Sequence, residues 1–280
     1  MSKCELSAFE KWGAQKKKLS PRTIETYVHH IESFFKSFSE VTDETLDEWK
    51  TERIDELKSA SYINVGLRAM SAYIEFLGID VEIPKSVPTQ KQQFLDDVIT
   101  RADYDFLLKY LKGKFGMSAI YKYERLYIAI KIIGTTGLRI SELLNVKHED
   151  IELGVFDIYG KRSKQRRIYI PKSAQEDLLH TLHSIGIYTG YVVVDKNRNK
   201  MKLRSLQDAF TRLAEETEID KSVMHAHSFR HFFAKEFIKH HNDICALADL
   251  LGHSNLNTTR IYLKLTSREQ KELVDKVVDW

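Results

Sequence analysis

Three separated stretches of this chain carry residues whose types and spacing could do chemistry. Leu251-Gly252-His253 is followed by a polar Ser-Asn-Thr turn and then by Thr258-Thr259-Arg260-Ile261-Tyr262. A glycine ends one helix there, and the turn can set His253 and Tyr262 beside one ligand. Read alone, the stretch is an ordinary helix-turn-helix corner with a half-buried tyrosine. Arg139, in Gly137-Leu138-Arg139-Ile140-Ser141-Glu142, follows a Thr-Thr-Gly turn. It either pairs with Glu142 one turn on or faces an anion. His227-Ser228-Phe229-Arg230-His231 opens an apolar helix. There the i, i+3 pair His227 and Arg230 shares a face, at a helix end that favours anions. The i, i+4 pair His227 and His231 could instead hold zinc, with His225, His240 and His241 nearby in sequence, but no third ligand stands in a zinc-site pattern.

Combined, these residue types describe a phosphate site with a nucleophile and no metal or other cofactor. Arg139 and Arg230 would neutralise non-bridging oxygens, His227 and His253 would donate hydrogen bonds or move protons, and Lys161 could protonate a leaving alkoxide. Tyr262 supplies the nucleophile. An unperturbed tyrosine titrates near pH 10, so only about one molecule in a thousand is ionised at neutral pH. The cluster of cations is expected to make the phenolate accessible and to stabilise a pentacoordinate phosphorane.

The elements that must position these groups are almost all helices. Residues 1–80 read as a four-helix unit. An amphipathic start over 5–18 is followed by Ser20-Pro21, an N-cap with proline at the first helical position. Ile24, Tyr27, Val28, Ile31, Phe34, Phe35 and Phe38 then recur at helical spacing. Helices after the Thr42-Asp43 cap and over about 61–77, ending at Gly78, complete the unit. Residues 81–97 hold two of the four prolines, Pro84 and Pro88, in polar surroundings and read as a linker. From 98 to 280 a second domain is expected, mostly helical. It is interrupted by a small antiparallel sheet, in which Val155–Tyr159 and Arg167–Ile170 alternate around a basic loop. Tyr191–Val194 reads as a further short strand, and a last amphipathic helix is expected over 267–279.

The net charge of +3 is too small to indicate a nucleic-acid partner, but its distribution is informative. Residues 1–80 hold 11 Lys and Arg against 14 Asp and Glu, whereas residues 101–280 hold 30 against 23. Two acid-free basic runs, Lys161–Arg167 and Lys196–Arg204, fit a phosphate backbone or a solvated surface. The candidate backbone contacts are Arg162, Lys164, Arg166, Lys200, Lys202 and Arg204, together with Lys16, Lys17, Lys18 and Arg22 at the first helical corner. No apolar run reaches the roughly 18 residues that a membrane span needs, and no secretion signal opens the chain. Cys4 and Cys245 stand far apart, which suits a reducing cytoplasm rather than a disulfide framework.

In this order, Gly137-Leu138-Arg139-Ile140-Ser141-Glu142-Leu143, Gly160-Lys161, His227-Ser228-Phe229-Arg230-His231, Leu251-Gly252-His253 and Thr258-Thr259-Arg260-Ile261-Tyr262 resemble the signature of the tyrosine recombinases, the phage-integrase family. The likeness extends to Leu19–Ile24 and Tyr73–Gly78, which resemble the family's helical, SAM-like core-binding domain. The chain starts almost directly at that domain, as in short members without an arm-binding domain. The resemblance implies Arg139 and Arg230 as phosphate clamps, Lys161 as general acid toward the 5′-hydroxyl and His227 in proton transfer. It implies His253 as a phosphate contact and Tyr262 as the nucleophile of a 3′-phosphotyrosyl intermediate. The hairpin lacks the glycine that commonly follows the first lysine, which leaves Lys164 as a competitor of Lys161. The implied activity is site-specific strand exchange without metal or ATP, by a homotetramer on two double-stranded DNA sites. The implied setting is a cytoplasmic, nucleoid-associated one in a prokaryote or mobile element, and an accessory DNA-bending protein is among the partners the family allows. The rival readings are a DNA-binding relative that no longer cuts and a type IB topoisomerase.

Overall fold

The computed structural model describes residues 3–89, 98–118, 121–159, 165–253, 255–263, 271 and 274–278. The chain divides into two compact units, Met1–Lys91 and Gln92–Trp280. Both are helical in the described residues, and the second holds a two-stranded antiparallel sheet.

The first unit contains α1 (Lys3–Gln15), α2 (Pro21–Phe34), α3 (Asp43–Asp55) and α4 (Ala60–Leu77). Three of these helices begin at hydroxyl caps: Ser20, Thr42 and Ser59 accept the backbone N–H of Thr23, Thr45 and Tyr62. Each cap satisfies one of the donors that a helix start leaves without a partner. Phe9, Ile31, Phe34, Leu46, Trp49, Met70 and Tyr73 form the core. Residues 81–89, part of the stretch read as a linker, lie against this unit. Val81, Ile83 and Val87 pack on its core, and the Asn64 side chain bonds both the N–H and the carbonyl of Val87 at 2.8 Å. Alternate apolar positions there, 81, 83 and 87, give an extended segment one face to bury.

The second unit is built around α6 (Lys122–Thr136), whose residues from Leu126 to Ile133 are buried apart from Lys131. A helix apolar nearly all round must be enclosed. It is packed by α5 (Arg101–Gly113), by α9 (Lys172–Ser184) and by α11 (Ala226–His241). Short α7 (Ile140–Leu143) and α8 (His148–Leu153) lead into β1 (Val155–Tyr159), which pairs with β2 (Gln165–Tyr169) in the register Val155↔Tyr169 to Tyr159↔Gln165. The tip between the strands, with Lys161, Arg162 and Lys164, lies outside the described residues. Residues 191–194 form no strand; they make isolated bridges, Lys147↔Tyr191 and Val194↔Lys200. Their three valines are buried in the core instead.

After α10 (Leu203–Thr217) and α11 come α12 (Ile244–Leu251), α13 (Leu256–Thr259) and a 3-10 turn over Arg260–Leu263. Most of the last helix expected, over 267–279, falls outside the described residues; 274–277 are helical, and Val274, Val277 and Val278 are exposed.

Candidate active site

Helix α11 supplies the deepest part of the site. Its N-cap is His225, whose Nδ1 accepts the Ser228 N–H at 3.1 Å. The Ser228 hydroxyl in turn accepts the Ile99 N–H at 2.8 Å, which ties the helix start to the beginning of the second unit. One face of α11 carries Arg230 and His231 inward. Arg230 is 2% exposed, and its guanidinium donates to the carbonyls of Gly137 and Leu251, the latter at 2.8 Å. Those carbonyls close α6 and α12, where Gly137 and Gly252 adopt left-handed backbone at φ 66° and 65°. Both chain reversals therefore converge on one buried cation, and no carboxylate is among the partners just named. Burial, reinforced by the charges of Arg139 and Arg166, lowers the Arg230 pKa to about 10.

Arg139 sits at the start of α7 with 45% of its side chain exposed. Its N–H donates to Glu142 Oε2 at 2.7 Å and its Nη1 to Glu142 Oε1 at 2.8 Å. Of the two sequence alternatives the Glu142 pair forms, and it leaves the guanidinium accessible. Glu142 is shared, because Arg166 Nη2 donates to its Oε2 at 2.6 Å. Burial alone would raise this carboxyl, but the two arginines hold it below the usual carboxylate range. Arg166, a surface candidate by sequence, points inward from β2. Its side chain is 9% exposed and also donates to the Leu250 carbonyl.

His253 and Tyr262 complete the cluster. His253 Nε2 lies 3.1 Å from Arg230 Nη2, and its Nδ1 lies 2.8 Å from the Thr259 hydroxyl. Burial first, then Arg230 and Arg139, lower its pKa to about 4. The Tyr262 ring runs nearly parallel to the His253 ring, at 13° with centroids 6.4 Å apart. Tyr262 is only 4% exposed, and its hydroxyl lies 2.9 Å from His231 Nδ1. Burial pushes this hydroxyl above its ordinary pKa, and the opposing pull of Arg230 and Arg139 does not cancel it. The expected ease of ionisation is therefore not found: desolvation outweighs the cations. His227, one turn before His231, is exposed and packs edge-on against the His231 ring, with centroids 4.2 Å apart. The part of its ring shielded by these neighbours is desolvated, and that loss of water, followed by the Arg230 charge, lowers its pKa.

The structure thus brings together Arg139, His227, Arg230, His253 and Tyr262, while Lys161 falls outside the described residues. The motifs leave three features unseen: the His231–Tyr262 contact, the Thr259–His253 contact and the shared role of Glu142. A signal for the first was present, since His231 is a polar residue flanked by Arg230 and Phe232 on the inward face. Among the described residues no group of three His, Cys, Asp or Glu side chains converges as metal ligands.

The other basic candidates are dispersed. Lys16, Lys17 and Lys18 are exposed between α1 and α2 and Arg22 is exposed in the first turn of α2, with Lys17 paired to Glu75 at 2.5 Å. Lys200 reaches Asn145 at 2.5 Å and lies over the Tyr191 ring at 5.3 Å. Lys202 is exposed, and Arg204 is paired with Asp208 at 3.0 Å. No described helix is long and apolar enough to cross a membrane.

Residues 98–269 match the phage integrase family. Tyrosine recombinase XerA of Thermococcus kodakarensis is 29% identical over 271 residues, covering 92% of this chain and 92% of its own. Tyrosine recombinase XerC of Escherichia coli O157:H7 is 31% identical over 151 residues, covering 52% of this chain and 50% of its own. A XerH site-specific recombinase bound to difH substrate in a pre-cleavage complex superposes with a TM-score of 0.70 at 21% identity, over 99% of this chain and 85% of that one. A lambda integrase tetramer bound to a Holliday junction gives 0.71 at 15% identity, over 92% and 76%. At those identities the superpositions establish the fold. The match over 98–269 spans more than half of the sequence, and with it the chain belongs to the phage integrase family.

Proposed function

We propose that the protein is a site-specific DNA recombinase of the tyrosine type, and that Tyr262 is its nucleophile. The observation that carries this reading is the Arg230 guanidinium: buried, held by carbonyls, and flanked by His253, the Tyr262 ring and the accessible Arg139. Positive charge concentrated beside a nucleophilic side chain is suited to a phosphodiester whose transition state gains negative charge.

Arg139 and Arg230 bind the non-bridging oxygens, and His253 and His227 add hydrogen bonds. The Tyr262 oxygen attacks phosphorus, a 3′-phosphotyrosyl bond forms, and the bond to the 5′ oxygen breaks. Lys161 gives that oxygen its proton, with Lys164 as the competing donor. The 5′-hydroxyl of a partner strand then reverses the step. The phosphodiester energy stays in the protein link, so the exchange needs neither metal nor ATP. Strand exchange requires two duplexes and hence an assembly, for which the tetrameric lambda integrase on a Holliday junction is the precedent. Lys16, Lys17, Lys18, Arg22, Lys200 and Lys202 are the accessible candidates for backbone contacts, and affinity carried by them falls steeply with salt.

The test uses a nicked duplex built on the site that the protein selects from a random-sequence pool. In chelator the wild-type chain forms a denaturation-resistant protein–DNA adduct, and Tyr262→Phe forms none. An adduct persisting in Tyr262→Phe overturns the nucleophile assignment. Specific binding with no adduct in the wild type favours the reading of a DNA-binding relative that no longer cuts.

A further inference from the structure

We infer that His231 is a catalytic residue, the acceptor of the Tyr262 hydroxyl proton during strand cleavage and its donor during rejoining. The inference rests on the assignment of Tyr262 as nucleophile.

The geometry is specific. His231 Nδ1 and the Tyr262 oxygen are 2.9 Å apart inside a buried cluster, where His231 is 8% exposed and Tyr262 is 4% exposed. The surroundings keep both groups uncharged. His231 is kept neutral by burial and by the neighbouring His227 and Arg230, which lower its pKa to about 3, while burial keeps Tyr262 a phenol. In the tautomer that carries its proton on Nε2, a neutral imidazole offers its lone pair at Nδ1, and Tyr262 donates to it there. This arrangement leaves the oxygen lone pairs of Tyr262 outside that bond, with Arg230 as a donor to the same oxygen. It also answers a difficulty the cations leave, since a phenol whose pKa is raised must lose its proton as it attacks.

The step balances. As the new O–P bond forms, the Tyr262 O–H bond breaks and the proton passes to Nδ1, while the P–O bond to the 5′ oxygen breaks and that oxygen is protonated by the separate donor proposed above. In the reverse direction the imidazolium returns its proton to the departing phenol oxygen. The basicity of His231 is low because burial, and then the neighbouring His227 and Arg230, disfavour its charged form. A bound phosphodiester brings negative charge to Arg139 and Arg230 and moves the balance toward proton uptake. His227 packs against the His231 ring rather than forming a described hydrogen bond to Tyr262, so it fits the nucleophile's proton less well.

The experiment measures single-turnover cleavage of the nicked duplex by the full chain with His231→Gln, which keeps polarity but removes the base. Cleavage is expected to slow about 100-fold or more, the usual contribution of a positioned proton acceptor. The same substitution is then combined with 3,5-difluorotyrosine at position 262, whose more acidic phenol depends less on a base. The deficit caused by His231→Gln is expected to shrink at least tenfold in the fluorinated protein. An equal deficit with tyrosine and fluorotyrosine, at retained site binding and thermal midpoint, overturns proton transfer, because a residue that only packs against Tyr262 would not respond to phenol acidity. A fully active His231→Gln overturns it as well. Should His231→Gln misfold, His231→Asn is carried through the same pair of measurements. The Tyr262→Phe control separates the two levels: an adduct there removes the nucleophile assignment itself, whereas failure confined to the His231 variants removes only this inference.

Discussion

The two arginines of the site are held in opposite ways. Arg139 stands at the surface against a carboxylate, Glu142, that it shares with Arg166. Arg230 is buried and held by two backbone carbonyls and His253. A guanidinium paired with a carboxylate has its charge largely compensated before any ligand arrives. One held by carbonyls keeps its net charge, and burial makes that charge count for more. The protein tolerates this because Gly137 and Leu251 end helices there and their carbonyls need donors. The carbonyl-held corner, proposed above as the anion seat, is therefore also a structural joint between α6, α11 and α12, whereas the carboxylate-held corner is chiefly an accessible arm.

Replacing each arginine by methionine tests this contrast most strongly. Either change should slow cleavage by about 100- to 1,000-fold, as for other lost transition-state donors. Stability should separate the two. Arg230→Met leaves the Gly137 and Leu251 carbonyls buried without a donor and should cost roughly 2–4 kcal/mol. Arg139→Met leaves Glu142 still held by Arg166 and should change stability by about 0.5 kcal/mol or less. Urea unfolding of both variants reads this directly, and equal losses would erase the distinction.

The next effect compares two glycines with the same backbone. Gly78 and Gly137 both end helices at positive φ, 67° and 66°. A Cβ at Gly78 would meet nothing within 4 Å, whereas at Gly137 it would lie 2.6 Å from Phe233 and 2.8 Å from Leu251. Gly78→Ala should thus cost about 1 kcal/mol, the left-handed penalty alone. Gly137→Ala should cost roughly 2–4 kcal/mol, because the neighbours must move and carry the Arg230 acceptor with them. Cleavage should fall only in Gly137→Ala.

Much of the architecture was legible in the sequence, because caps and stripes are local. Ser20-Pro21, Thr42-Asp43 and Gly78 mark the ends of helices that form where expected. What escaped depended on distant partners. The six-residue α8 is too short for its periodicity to register. Tyr191–Val194 has the composition of a strand, yet its valines are used to fill the core rather than to extend the sheet. The start of α6 at Lys122 follows Tyr121 in left-handed backbone, a conformation that its residue type does not signal. Arg166 sits in a basic run that reads as surface, and only the fold reveals that Glu142 and the Leu250 carbonyl draw it inward. The chemistry-bearing residues were recognisable by type and spacing, but the state of Tyr262 was not. Burial, which no motif encodes, decides that its hydroxyl is harder rather than easier to ionise.

The smallest effect distinguishes the corners by titration. In the carboxylate-held corner Glu142 titrates below the ordinary carboxylate range, so the corner is silent between pH 7 and 5. In the carbonyl-held corner His231 and His253 are depressed to about 3 and about 4 from an ordinary 6.5. An unfolded histidine takes up its proton near pH 6.5 and the folded ones only near those lower values. Between them the unfolded chain binds more protons, and stability must fall as pH falls. For His231, the more buried of the two, acidification from pH 7 to 5 should cost on the order of 1–2 kcal/mol. His231→Gln should therefore reduce the pH dependence of the urea midpoint of the second unit across that window, leaving the share carried by His253, while Arg139→Met should leave its slope nearly unchanged. An undiminished slope in His231→Gln would assign the acid sensitivity to other groups and weaken the case that this imidazole is kept neutral against Tyr262.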